Sequence, residues 1–464
     1  MARAIGIDMT HGSLFKKMIR FSVPLIFTYW LQLAFNFADV MVLGALVDDF
    51  AVGAVGSTGS LTNLIISLFI GVSLGSNILI SKYLGEGNQE KVRRIIGLSV
   101  LVSVIFGLFL LVIGVLFSRT FLMWMGSPDE LIDMASLYLK IIFLGMPIKL
   151  LYNFCASILR ASGETFKPML FLCIGGVLNV GLNIFSITVL GMTVEGVALA
   201  TITSELVSAV LCLITLIKND GAVKLTKKYL RFYKKEFLEM LEQGIPSGLQ
   251  SCLFSLSNVV IQSSINSFGP IAVSGNSYAS QIENFIYHAM YAFSVGVMSF
   301  VSSNLGAREI VNIKKIILYG LMLNFIVGFT LSMSVFFLSE HIISLFTQDP
   351  LVIAAACTRM EYICKFYFFC GIMEVFSLAL KGLGKSTLSM IISLLGSCVL
   401  RLIWITVMLK FYNVIDVVYV VYVISWIVTA IAQLIALIVV YRKVKIKIAI
   451  EKESGSDFQQ KLVA

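Results

Sequence analysis

The sequence predicts an all-α polytopic membrane protein, with twelve transmembrane helices in two pseudo-symmetric six-helix lobes. Three observations predict it. Of 464 residues, 58% are hydrophobic and only 13% are charged, which is more apolar surface than a soluble chain of this length can bury. The apolar residues fall into twelve runs long enough to cross a bilayer. The second six runs also repeat the first six at a nearly constant offset.

Divided at charges, glycines and prolines, the runs lie near 19–46, 55–81, 94–117, 131–158, 168–190 and 195–217. The second group lies near 243–267, 272–302, 313–338, 351–380, 386–410 and 414–441. This divides the chain into an N-lobe (12–217), a linker (218–241), a C-lobe (242–442) and a tail (443–464). Within the linker, KKYLRFYKKEFLEML is amphipathic and reads as a helix lying on the membrane surface. The first eighteen residues lack the short apolar core and small-residue cleavage site of a removable signal peptide. The 8 cysteines all fall inside apolar runs without a CxxC pair, so they read as small core residues rather than a disulfide framework.

The net charge of +9 is explained by topology. Basic residues crowd one set of connections: Arg3, Lys16, Lys17 and Arg20; Lys82, Lys91, Arg93 and Arg94; Arg160 and Lys167; the linker; Arg308, Lys314 and Lys315; Lys381 and Lys385; and the tail, including Lys452 and Lys461. The opposite connections hold only Arg119 and Lys410, beside the acidic Asp48, Asp49, Asp129, Glu130, Asp133 and Glu340. Positive charge stays on the cytoplasmic side, so both termini and the central linker are expected in the cytoplasm, with the chain in the cell's inner (plasma) membrane. The natural partner of this charge is anionic lipid, and nucleic acid is not implied.

The repeat is visible in the connections. LGEGNQEKVRRI (84–95) and LGAREIVNIKKI (305–316) stand 221 residues apart, and ILRASGETFKP (158–168) aligns with ALKGLGKSTLS (379–389) at the same offset. Pro24 and Pro246, like Pro128 and Pro350, match at 222. Six spans is an even number, so both halves enter from one side as parallel repeats. One chain supplies both lobes, and a monomer is expected to suffice.

The most informative residue is Asp39, a carboxylate well inside span one (FSVPLIFTYWLQLAFNFADVMVLGAL). A charge in hydrocarbon costs about 2.5–3.5 kcal/mol or more, so such residues face protein or a wet cavity and mark function. In span five, GGVLNVGLN places Asn179 and Asn183 four apart on one helical face. Thr201 lies a short way along span six, and counting from the outer ends puts all four at a similar depth. One carboxylate, two amides and a hydroxyl are hard oxygen ligands suited to Na⁺. The same carboxylate is equally suited to carry H⁺. Without Asp39, the Asn and Thr residues would read as polar contacts between helices.

The second half does not copy this set. At the same offset Asn179 and Asn183 meet Leu400 and Trp404. It offers instead Glu283, Glu374 and Arg401, where a carboxylate paired with Arg401 is the plain expectation and a secondary coupling role the sharper one. Glu361 and Lys365, four apart, are expected to pair. His288 is expected to be simply hydrogen-bonded, Glu205 to be a packing or pairing residue as readily as a functional one, and Lys140 and Lys149 to snorkel or neutralise nearby acids.

A proline early in span one followed by AD-x3-LG (Ala38–Gly44), AVGSTGSLTNL (54–64), LGEGNQEK, LRASGETFKP and ALKGLGKST together resemble the multidrug and toxic compound extrusion (MATE) family over roughly residues 12–445. The resemblance implies two six-helix lobes around a central cavity and export of organic cations in exchange for Na⁺ or H⁺, with no other cofactor. It carries the first-lobe cation site onto Asp39, Asn179, Asn183 and Thr201. Some members have a second carboxylate where this chain has Asn183. A second-lobe carboxylate found in another branch has no counterpart in span seven here. GLGKST (382–387) lacks the first glycine of a phosphate loop, where Ala379 stands, and no strand precedes it. No HExxH or nucleophile–base constellation occurs, so no enzyme is expected. The rival is a lipid-linked sugar flippase or exporter, which should line its cavity with several basic residues to hold pyrophosphate. Away from their ends, the first-half spans carry only Lys140 and Lys149 as basic residues.

Overall fold

The computed structural model describes residues 6–47, 49–126 and 128–463. Arg3 and Asp48 lie outside the described residues, as do the side chains of Asp49, Asp129, Lys452 and Lys461. The described residues form helices and no strand. The first half comprises α1 (Leu14–Leu46), α2 (Asp49–Gly85), α3 (Gln89–Trp124), α4 (Asp129–Leu144), α5 (Met146–Ala161), α6 (Phe166–Thr188) and α7 (Val194–Ile217). The second comprises α8 (Lys234–Asn266), α9 (Pro270–Gly306), α10 (Ile310–Phe337), the short α11 (Ser339–Ser344), α12 (Pro350–Cys364), α13 (Phe368–Gly382), α14 (Ser386–Ser393), α15 (Leu400–Phe411) and α16 (Asp416–Val463). A π-helical turn, Leu394–Val399, joins α14 to α15.

Among the described residues 9 helices are long and apolar enough to cross a membrane, or up to 11 if each of two bent pairs is one span. That count leaves out α8, whose 33 residues extend about 50 Å at 1.5 Å each but carry Gln243, Gln250, Asn258 and Gln262. The architecture is thus consistent with twelve spans. Two expected runs are broken: 131–158 becomes α4 and α5, bent by 48°, and 351–380 becomes α12 and α13, bent by 49°. Pro147 at the start of α5 accounts for the first break, because proline cannot donate the backbone hydrogen bond that a continuous helix needs.

The repeat extends to backbone conformation. α1 and α8 are both 33 residues long, and α2 and α9 both 37. The turn after α2 puts Gly87 at φ 71°, and its counterpart after α9 is Arg308 at φ 60°. Gly163 (φ 85°) and Gly384 (φ 73°) form a second matched pair. Left-handed backbone is free for glycine and costly for a side chain, so the matched turns preserve a geometry that only Arg308 holds without glycine.

The chain divides into two compact units: Met1–Asp8, Ile19–Leu84 and Asn88–Cys252 in the first, and Met9–Met18, Gly85–Gly87 and Leu253–Ala464 in the second. In the first unit Ile80, Ile95, Ile96, Phe154, Ile158 and Leu159 are fully buried together with Met240. The amphipathic linker stretch is therefore not a surface-lying helix. Its second part opens α8, and Phe237, Met240 and Leu241 pack into this core. α2 and α8 touch through glycines, since a Cβ at Gly71, Gly75, Gly244 or Gly248 would collide with the facing backbone. Small residues allow this close approach where water supplies no driving force. By contrast Ile105, Leu108, Phe109, Val112 and Leu116 form an exposed apolar stripe along α3, the face that lipid covers. In the second unit Ile261, Ile265, Ile405, Val418, Tyr419 and Val421 form a core.

Candidate functional site

In the first unit, α1, α6 and α7 bring the four polar residues together. Asn183 Nδ2 donates to Asp39 Oδ1 at 2.6 Å and lies 3.4 Å from Asn179 Oδ1. Asn179 Nδ2 donates to Thr201 Oγ1 at 3.3 Å, and the Thr201 hydroxyl donates in turn to the Val197 carbonyl at 2.9 Å. Asn179 and Asn183 are buried, while Asp39 and Thr201 are partly accessible. Two glycines make this possible. A Cβ on Gly176 would collide with the Phe35 ring of α1, and one on Gly175 with Ser208 of α7, so α6 can sit close to both neighbours.

Two features of this cluster fit a cation. Asp39 has no ion-pair partner among the described residues, and the buried Asn183 Oδ1 accepts no hydrogen bond. An unsatisfied buried acceptor costs about 1–3 kcal/mol, and a small cation beside the carboxylate would satisfy it. Among the described residues no group of three or more His, Cys, Asp or Glu side chains is placed to hold a metal ion. A cation here would be held by one carboxylate and neutral oxygens, a donor set for Na⁺ rather than for a transition metal.

The cluster opens onto a cavity of about 240 Å³ within the first unit. Its wall holds Asp39, Asn179, Thr201 and Lys149 together with residues to which the sequence assigns no role: Gln32 and Asn36 on α1, Asn63 on α2, and Tyr152 and Asn153 on α5. Gln32, Asn36 and Asp39 recur at helical spacing on one face of α1, a signal present in the sequence. Lys149 forms an ion pair with Glu205 of α7 at 2.9 Å, and both face the cavity. Nothing in their spacing announced that pair.

In the second unit the expected carboxylate–Arg401 pair is absent. Glu283 binds Arg359 instead, with Nε to Oε1 at 2.9 Å and Nη2 to Oε2 at 2.6 Å, while Arg359 Nη1 donates to Asn276 Oδ1 at 2.7 Å. The reason is packing: α12 lies against α9 and carries Arg359 to Glu283, whereas Arg401 on α15 faces α16. There its Nε donates to Ser425 at 2.8 Å and its guanidinium sits 4.5 Å from the Tyr422 ring centre. Glu374 accepts a long hydrogen bond from Tyr287 at 3.5 Å and lies within electrostatic reach of Lys381. Lys365 pairs with Glu361 at 2.8 Å, and His288 Nδ1 meets the Asn284 carbonyl at 2.7 Å, both as expected.

Comparison with known proteins agrees with this architecture. A family model, MatE, matches residues 24–185 and again 246–407, once in each half. The chain is 27% identical over 391 residues to the probable multidrug resistance protein YoeA of Bacillus subtilis (strain 168), covering 82% of this chain and 84% of that protein. It is 24% identical over 391 residues to the multidrug export protein MepA of Staphylococcus aureus (strain NCTC 8325 / PS 47), covering 83% and 85%. Among solved structures, an outward-facing multidrug resistance MATE family transporter of the MOP superfamily aligns with a TM-score of 0.89 at 21% identity, over 95% of this chain and 99% of that one. A MOP superfamily transporter from Pyrococcus furiosus Vc1, described as having a binding pocket of reversed polarity, aligns at 0.84 and 21% identity, over 97% and 99%. Matched in both halves by the same family, the chain belongs to the MatE (MATE) family and is an integral membrane transporter rather than an enzyme.

Proposed function

We propose that this transporter is a secondary active antiporter that exports hydrophobic, mostly cationic organic compounds in exchange for Na⁺ or H⁺. Asp39 is the coupling residue, and Asn179, Asn183 and Thr201 complete its site. The observation that carries this reading is a carboxylate without an ion-pair partner among the described residues, beside an unpartnered buried amide oxygen, on the wall of a cavity. The similarity to YoeA, a probable multidrug resistance protein, and to MepA, a multidrug export protein, supports the substrate class. Coupling follows if Asp39 binds its ion with different affinity in inward- and outward-facing states, because only differential affinity shifts their populations. The same reading places the chain in the plasma membrane as a functional monomer. Both termini are cytoplasmic, and anionic lipid lies against the basic connections.

The test is transport by purified protein in proteoliposomes, with Na⁺ and pH gradients imposed separately and ethidium as probe. Uphill export should follow one of the gradients. Asp39→Asn keeps the shape and removes the charge, so it should abolish uphill export while the protein still folds and binds substrate. Normal accumulation by Asp39→Asn would remove the coupling role from Asp39 and leave Glu374, which forms no salt bridge among the described residues, as the carboxylate to test next. Transport of a lipid-linked sugar but of no organic cation would replace the antiport reading altogether.

A further inference from the structure

We propose that Lys149 and Glu205 are a selectivity pair. Glu205 holds the positive group of the transported compound, and Lys149 is a built-in cation that this group must displace, so the cavity admits one net positive charge. The proposal rests on the reading of the chain as an exporter of organic cations and specifies the charge of its substrates.

The charge count of the cavity carries the argument. Of the residues lining it, only Asp39, Lys149 and Glu205 are charged. Two carboxylates and one ammonium leave a single negative charge, which either a coupling cation or a monocationic substrate neutralises. Lys149 and Glu205 both act electrostatically on Asp39, so a charge gained or lost at the pair is felt at the proposed coupling residue. The Lys149–Glu205 contact is short, at 2.9 Å, yet the side chains remain 27% and 25% exposed. A partly solvated lysine pair is weak, and the flexible lysine stem can swing its ammonium aside without breaking a fixed network. The Glu283–Arg359 pair shows the opposite design: its side chains are 6% and 7% exposed and Asn276 holds the guanidinium as well, so no incoming cation can take its place. Phe35, Tyr152 and Leu172 on the same wall supply the apolar and aromatic surface that suits a greasy cation.

The test compares two probes on full-length purified protein by titration calorimetry: tetraphenylphosphonium, a monocation, and methyl viologen, a dication. Wild type should favour the monocation. Lys149→Gln leaves two negative charges and should shift the dication-to-monocation affinity ratio by about tenfold toward the dication, the scale of one added charge interaction in a partly wet site. Lys149→Arg should keep the wild-type ratio. Glu205→Gln should weaken both probes, the dication more, moving the ratio the other way. A ratio is insensitive to a general loss of stability, and Glu205→Gln tests the pair from the other side should Lys149→Gln fail to fold. If wild type binds tetraphenylphosphonium but neither substitution moves the ratio, the selectivity pair is overturned and the exporter reading stands. If wild type binds neither probe, the organic-cation reading falls and the pair falls with it.

Discussion

The two halves of this transporter share a scaffold and differ in what they do with a buried carboxylate. α9 puts Glu283 against Arg359 with two charge-assisted hydrogen bonds, so that this carboxylate's charge is cancelled within the protein. α1 puts Asp39 against a neutral amide and leaves its charge to be cancelled from outside. A duplicated fold constrains helix lengths, bends and turns, while its polar contents are free to diverge. Under the proposed function, Asp39 rather than Glu283 is the carboxylate left open to a coupling cation.

The comparison breaks most visibly if the second-lobe pair is opened. Arg359→Leu would strand Glu283 in a buried site and should destabilise the protein by about 3–5 kcal/mol, seen as a large drop in thermal melting in detergent. Asp39→Asn should leave the melting temperature unchanged or slightly raised, since an expensive charge is removed. Equal melting losses for the two variants would erase the distinction between the lobes. A smaller effect is expected at Asn183. Its replacement by Ala removes an uncharged ligand and should weaken the dependence of export on the driving ion several-fold without abolishing transport, read as a higher ion concentration for half-maximal uptake. Loss as complete as for Asp39→Asn would make the amide, not the carboxylate, the deciding group.

The smallest effects sharpen the comparison at the matched turns. Gly384→Ala has open space around the new Cβ and suffers only the left-handed backbone, a loss of about 1 kcal/mol. Gly163→Ala suffers the same strain and also a collision with the Ile7 backbone, so it should melt lower than Gly384→Ala. The reverse order would mean that the segment around Ile7 does not pack on this turn.

Much of the fold was legible because hydropathy is local and additive: twelve apolar runs and the repeated turn sequences can be read without knowing any contact. The Asp39 cluster was partly legible, since Asn179 and Asn183 share a helical face and depth can be counted from the ends of spans. The breaks at α4–α5 and α12–α13 were harder to see, because both halves of each run stay apolar. Pro147 marked the first break, whereas Lys365–Tyr367 carries no proline or glycine to mark the second. The π-helical turn at Leu394–Val399 had no signal either, because it is a matter of hydrogen-bond register rather than composition.

The sequence by itself determined that the chain spans a membrane, that it is two copies of one six-span plan, and that Asp39 is the exceptional charge of its first half. Only the tertiary structure decided which of the other intramembrane charges cancel: Arg359 with Glu283, Lys149 with Glu205, and Arg401 with no carboxylate but with Ser425 and Tyr422. The physical reason is that an ion pair between helices depends on the rotation and depth of each helix. Those follow from glycine contacts, bends and packing summed along the whole element, and residues 76 positions apart, such as Glu283 and Arg359, carry no local trace of having met.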